Sequence, residues 1–116
     1  MKHYDSGLHG EAQAEQYLLH QGMTVITRRY RGADGEIDLV MQDGAVVVFV
    51  EVKARPSGRM GSGLTYITAG KQRRMTHAAL AFLQEQEWME RQVRFDVVEI
   101  TSDGLLHIPN AFMALD

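Results

Sequence analysis

The stretch Gly35-Glu36-Ile37-Asp38-Leu39-Val40-Met41-Gln42-Asp43-Gly44-Ala45-Val46-Val47-Val48-Phe49-Val50-Glu51-Val52-Lys53-Ala54 decides how this chain folds. Two aliphatic runs flank Asp43-Gly44, a dipeptide that favours tight hairpin turns, so Glu36–Met41 and Ala45–Ala54 read as paired strands. The second run is apolar on both faces until its C-terminal end, which marks a central strand covered on both sides. Its closing residues break that pattern. Glu51 and Lys53, two positions apart, project from one face. With Asp43-Gly44 as a two-residue turn, Gln42 pairs with Ala45 and Asp38 lies opposite Phe49, on the face of Glu51 and Lys53. Asp38, Glu51 and Lys53 are therefore expected to converge at the end of a buried strand, provided no one-residue bulge shifts the hairpin.

Outward from this core, residues 6–21 read as a helix with Leu8, Ala12, Leu18 and Leu19 on one stripe and Gly22 just past its end. Met23–Tyr30 reads as a strand. Downstream, Arg55–Gly63 contains Pro56 and three glycines and reads as a loop. A long helix is expected over Ala69–Glu90, with Met75, Ala78, Ala79, Phe82, Gln86 and Met89 recurring at three- and four-residue steps. Val93–Ile100 alternates as a strand does, Ser102-Asp103-Gly104 turns, and Leu105–Ile108 reads as an edge strand. The order α-β-β-β-α-β-β predicts an α/β domain over residues 1–116, a mixed central sheet with helices on its faces.

Composition narrows the chemistry. The 116 residues are 45% hydrophobic and 23% charged, the profile of one globular domain. The absence of cysteine excludes disulfides, thiol catalysis and thiolate zinc sites. The longest apolar run, Ala45–Val50, is far short of the roughly 20 residues a membrane helix needs. No charged-then-apolar leader is visible, so the expected address is the cytoplasm, with no membrane partner. The net charge of −3 excludes nucleic-acid binding by bulk positive charge. It is nonetheless an average of unlike regions. Arg28 to Arg74 holds nine basic and five acidic residues, and the rest of the chain three basic and ten acidic.

Carboxylates at the end of a valine-rich strand must be neutralised. A divalent cation does this, and two carboxylates with a carbonyl form a hard oxygen site suited to Mg²⁺ or Mn²⁺. Lys53 beside it would orient or help deprotonate an attacking water, while the metal stabilises a pentacovalent phosphate and its leaving oxygen. The competing explanation is an ion pair of Lys53 with Asp38 or Glu51 and no chemistry. Lys71, Arg73 and Arg74 at the start of the long helix run against the helix dipole, which favours acids there. Basic side chains around a helix N-terminus suit phosphate, and with Arg31, Arg55 and Arg59 they would form a nucleic-acid-binding rim. Other motifs fail: Asp34-x-Glu36-x-Asp38 lacks the glycine and glutamate of a calcium loop, and Gly70-Lys71 lacks the spacing of a P-loop.

An ordered set of residues spans nearly the whole chain. It comprises Gly10-Glu11 with Ala14 and Leu18, Gly35 to Val40, Phe49 to Arg55, Gly61, Lys71 to Arg74 with Ala78, Arg94 to Val98, and Asn110 to Phe112. In this set the chain resembles the YraN family of small bacterial proteins. That family is in turn similar to archaeal Holliday-junction resolvases of the PD-(D/E)xK superfamily. The departures are Arg29-Tyr30, where the family usually has Asn after an Arg, and Ile37, where the superfamily has Pro.

The resemblance implies a restriction-endonuclease-like fold and a metal-dependent endonuclease hydrolysing DNA phosphodiester bonds, including branched or junction DNA. Asp38 and Glu51 would be metal ligands with the Val52 backbone carbonyl, and Lys53 the water-orienting residue. Glu11 on the first helix matches a glutamate that joins the metal site in the resolvases. The cofactor would be Mg²⁺ or Mn²⁺, with no small-molecule cofactor, and a homodimer is expected by analogy. Glu15 reads as an ion-paired surface group, Asp96 as a structural carboxylate, and neither Asp96 nor Glu36 as a ligand. Gln72 is expected at the nucleic-acid rim, with a hydrogen bond into the metal site. The alternatives are a non-catalytic nucleic-acid-binding module, or an interaction subunit of a DNA repair or chromosome-maintenance assembly.

Overall fold

The computed structural model describes residues 3–32, 34–55 and 67–115, with side chains of the first helix from His9 onward. Arg59, Gly61 and the rest of the expected loop beyond Arg55 lie outside the described residues. The elements are α1 (His3–His20), β1 (Thr24–Gly32), β2 (Gly35–Asp43), β3 (Val46–Ala54), α2 (Ala69–Gln86), β4 (Val93–Thr101) and β5 (Gly104–Phe112). They form a mixed α/β fold in which one five-stranded sheet, ordered β1-β2-β3-β4-β5, lies between the two helices. All neighbours are antiparallel except β3 and β4, which run parallel across the α2 crossover.

The sheet separates two cores. On one face α2 places Met75, Ala78, Ala79, Phe82 and Leu83 against Val40, Val47, Phe49 and Phe95. On the other, Ala14 and Leu18 of α1 pack with Leu39, Met41, Val48, Val50 and Val98. Val47, Val48, Phe49 and Val50 are fully buried, as the unbroken apolar run of β3 requires. β4 was expected to alternate, yet from Phe95 to Thr101 every residue is buried. As the parallel neighbour of β3 it lies in the middle of the sheet, so its polar members Asp96 and Glu99 are interior too.

Three local expectations are corrected. The buried stripe of α1 runs through Gly10, Ala14 and Leu18, whereas Ala12 and Leu19 face solvent. The long helix stops at Gln86. Glu87 takes a left-handed conformation (φ 60°), and Trp88 N–H returns to Leu83 O at 2.8 Å. That closure folds Trp88 onto Phe82 (centroids 5.9 Å apart) and leaves Gln86 and Met89 exposed. The hairpin turn is Gly44-Ala45, because Asp43 pairs with Val46. Asp43 is drawn into the strand by Arg94, whose Nη1 reaches its Oδ2 at 3.0 Å, and Gly44 supplies the positive φ of 61°. Cross-strand partners therefore differ from the expected ones by two positions. A shift of two preserves the face of every side chain, and it carries Asp38 from beside Phe49 to the level of Glu51.

Candidate metal and phosphate site

Two glycines bring the helices onto the carboxylates. A Cβ on Gly10 would lie 2.6 Å from the Ala54 Cβ, so only glycine lets α1 rest on the end of β3, and Glu11 follows it. A Cβ on Gly35 would lie 2.5 Å from the Arg74 carbonyl oxygen. This second close approach seats the first turns of α2 over the start of β2. Thr68 caps that helix, its Oγ1 accepting from Lys71 N–H at 3.2 Å, which fixes the backbone from which Lys71 and Arg74 extend.

The result is a cavity of about 440 Å³ whose lining includes Asp38, Glu51, Arg31, Glu36, Lys71 and Arg74. The β2–β3 ladder runs as far as Leu39↔Val50. Beyond it the Asp38 carboxylate fills the space a backbone bond would occupy, Oδ2 accepting from Val52 N–H at 2.8 Å. Glu51 is almost fully buried, and Lys71 Nζ lies 2.6 Å from its Oε2. Burial, together with the charge of Glu51, pushes the Asp38 carboxyl up to about 7. The Val52 N–H works against that rise and the Glu11 charge adds to it. Asp38 and Glu51 thus lie side by side, with the Lys71 ammonium on Glu51 and a backbone N–H on Asp38.

The oxygen donors of these two side chains suit a hard divalent ion. Among the described residues no three histidines, cysteines or acids are grouped so as to hold a metal ion, so Glu11 does not complete a three-carboxylate set with Asp38 and Glu51. Two carboxylates with an open side fit Mg²⁺, which characteristically leaves positions for water and phosphate oxygens.

The expected residues are distributed unevenly around this centre. Asp38 and Glu51 meet, as their spacing implies. Glu11 is near enough for its charge to act on Asp38, while its Oε1 accepts from Arg29 Nε at 3.0 Å. Val52 reaches Asp38 through its N–H. Lys53 is half-buried one step further along β3, level with Glu99 of β4. Arg31 and Arg74 border the cavity, with Arg31 Nη2 3.1 Å from Glu36 Oε2. Arg73 is exposed on the next position of α2.

Three members of the expected rim behave otherwise. Arg55 turns inward and pairs with the fully buried Glu99, so its charge is directed into the protein. The Gln72 amide donates to Ile67 O at 3.0 Å, closing the segment before α2, so the expected bond into the metal site is replaced. Lys71 is drawn from the rim into the centre by Glu51. Glu99 escaped the sequence reading, although a lone acid inside Val97-Val98-Glu99-Ile100 was the same signal that marked Glu51. Glu15 is ion-paired as expected, bound by Arg28 at 2.7 and 2.8 Å and held below the usual carboxylate range by that contact. Asp96 is structural as expected. His107 Nε2, Arg94 and Asn110 N–H surround it at 2.8–3.1 Å.

The sequence pattern of the uncharacterised protein family UPF0102 matches residues 10–100, from the glycine under α1 to the end of β4. The chain belongs to that family. It is similar to a UPF0102 protein of Geobacter metallireducens, 43% identical over 91% of this chain and 90% of the relative. A UPF0102 protein of Saccharophagus degradans is 42% identical over 96% and 95%. The matched span of this UPF0102 member contains both helix-seating glycines and every residue named above as lining the cavity. No helix among its described residues is long and apolar enough to cross a membrane.

Proposed function

We propose that this UPF0102 protein is a Mg²⁺- or Mn²⁺-dependent endonuclease that hydrolyses DNA phosphodiester bonds, on a scaffold of the restriction-endonuclease-like, PD-(D/E)xK type. The observation that carries the reading is the meeting of Asp38 and Glu51 where β2 and β3 part, close enough for the Glu51 charge, with burial, to push the Asp38 carboxyl up to about 7. Branched or junction DNA is the substrate class that the resemblance to resolvases favours, and a homodimer belongs to the same analogy.

In this reading Asp38 and Glu51, with the Val52 carbonyl, would hold the cation, and Glu11, bonded to Arg29, would act on it from α1 through its charge alone. A bound Mg²⁺ or Mn²⁺ would polarise the phosphoryl group and ease departure of the leaving oxygen. The remaining work belongs to the chain. Arg31 and Arg74, at the cavity's edge, hold the phosphates on either side of the scissile one. Lys53 orients the attacking water from the end of β3. With its carboxyl held at about 7, Asp38 would lose its proton to solvent readily at neutral pH and so present a carboxylate to the cation.

A second reading, a nucleic-acid-binding module without catalysis, is favoured by one observation: the Lys71 ammonium already sits on Glu51. A cleavage assay separates the two. Junction, flap, single-stranded and linear duplex DNA are incubated with Mg²⁺ or Mn²⁺ and either wild type or Lys53→Ala. Metal-dependent cleavage by wild type, reduced by Lys53→Ala, supports the enzyme. No metal-dependent difference on any substrate, with DNA affinity retained in Asp38→Asn, supports the binder.

A further inference from the structure

Lys71 carries a consequence of its own. Its ammonium contacts one oxygen of a nearly buried carboxylate, while its side chain remains about one-third exposed at the mouth of the cavity. The backbone beneath it is pinned by the Thr68 cap and by Gln72 N–H, which donates to Thr68 O at 2.9 Å. Displacing the ammonium from Glu51 therefore needs only rotation of the lysine stem, with the capped first turn of α2 left in place. Two cations cannot both take the same face of Glu51, and Arg31 and Arg74 already give the cavity two further basic groups.

We infer that Lys71 is the resident counter-ion of Glu51, displaced by a divalent cation and passed to a phosphodiester oxygen, so that cation and phosphodiester bind cooperatively. This rests on the cation site proposed above. Without nucleic acid, Lys71 competes with the cation and keeps its affinity low. With a phosphodiester in the cavity, the ammonium has a second partner, and Glu51 is released to the ion. By linkage the cation raises phosphodiester affinity by the same factor. Lys71 is in this account a positioning residue, and the Glu51–Lys71 pair is a latch rather than a structural pin.

The test is Mn²⁺ binding to the intact protein, followed by electron paramagnetic resonance. It is run with and without dithymidine phosphorothioate, a hydrolysis-resistant phosphodiester. Lys71→Met, which keeps length and loses charge, is expected to bind Mn²⁺ about tenfold more tightly than wild type without the dinucleotide. Lys71→Arg is expected to bind no more tightly than wild type. The dinucleotide should tighten Mn²⁺ binding about tenfold in wild type and by less than about twofold in Lys71→Met. Equal Mn²⁺ affinities of wild type and Lys71→Met, or equal tightening in both, overturn the inference. So does an absence of Mn²⁺ binding by either protein, which removes the cation site with it.

A readout on wild type guards against misfolding of the variant. With lysines reductively ¹³C-methylated, the Lys71 resonance should move toward that of solvent-exposed lysines as Mg²⁺ is added, and an unmoved resonance overturns the latch. Cleavage with no Lys71 effect would preserve the nuclease and remove the latch. A Lys71 effect with no cleavage on any substrate would do the reverse.

Discussion

Asp38 and Asp96 are the same residue in one sheet, and the fold treats them in opposite ways. Asp96, fully buried in β4, would be pushed up by burial, but His107, Arg94 and the Asn110 N–H outweigh it and hold the carboxyl below its usual range. Its partners are fixed around it, and the irregularity in the β4–β5 ladder between Phe95 and Val97, with Asn110 at φ 52°, aims one backbone N–H at its Oδ1. Asp38, half-buried in the first half of β2 just beyond its ladder with β3, accepts from the Val52 N–H, has two neighbouring acids, and is pushed up to about 7. A fold able to surround one aspartate with donors leaves the other short of them. An acid so perturbed beside a cavity is a candidate functional group, and Asp96 is not.

The largest expected difference is in activity. Asp38→Asn should reduce metal-dependent cleavage by about ten-thousandfold, on the order of 5 kcal/mol of transition-state stabilisation. It should leave folding stability at pH 8 unchanged or raised, because the amide oxygen still accepts from Val52 while the repulsion is gone. Next in size is Asp96→Ala, which leaves Arg94 and His107 facing each other without their anion. Loss of about 3–5 kcal/mol in urea unfolding is expected, as for removing one partner of a buried ion pair.

The pH dependence of stability sets the two apart more gently. Asp38 holds its proton better folded than unfolded, so its contribution is complete below about pH 4 and is lost as pH rises toward 7. Asp96 holds its proton less well folded, so its contribution is present above about pH 4 and is lost on further acidification. In metal-free protein, chemical denaturation between pH 5 and 8 should show a decline on the order of 1–3 kcal/mol that Asp38→Asn abolishes. Persistence of that decline in Asp38→Asn would move its origin elsewhere. The smallest effect is expected at Glu15, a well-partnered acid whose Arg28 partner is largely exposed. Glu15→Ala should cost less than about 1 kcal/mol, and less still in high salt.

Much of this contrast was legible in the sequence, for identifiable reasons. The apolar run Val46–Val50 announced a central strand, and period-two alternation placed Glu51 and Lys53 together. The turn was misplaced because Asp-Gly is a strong local signal and Arg94, 51 residues away, overrides it. The two-residue error left the faces intact, so Asp38 and Glu51 still met. Ala69 as the start of α2 was readable, but its end was not, since Glu87 in a left-handed cap carries none of the glycine signal. Nor was the place of Lys71. Whether a basic residue on a helix start meets solvent or a carboxylate depends on the seating of that helix, which Gly35 controls through a contact with Arg74.

The proposed function turns on a divalent cation bound at Asp38 and Glu51. Calorimetric titration of Mn²⁺ into the nucleic-acid-free protein at pH 6 and pH 8.5, in buffers of different ionisation enthalpy, tests it most directly. At pH 6 Asp38 is largely protonated, so binding should release close to one proton, roughly, and at pH 8.5 almost none; Asp38→Asn should bind far more weakly and release none. Binding without proton release at pH 6, or equal binding by wild type and Asp38→Asn, would contradict the account.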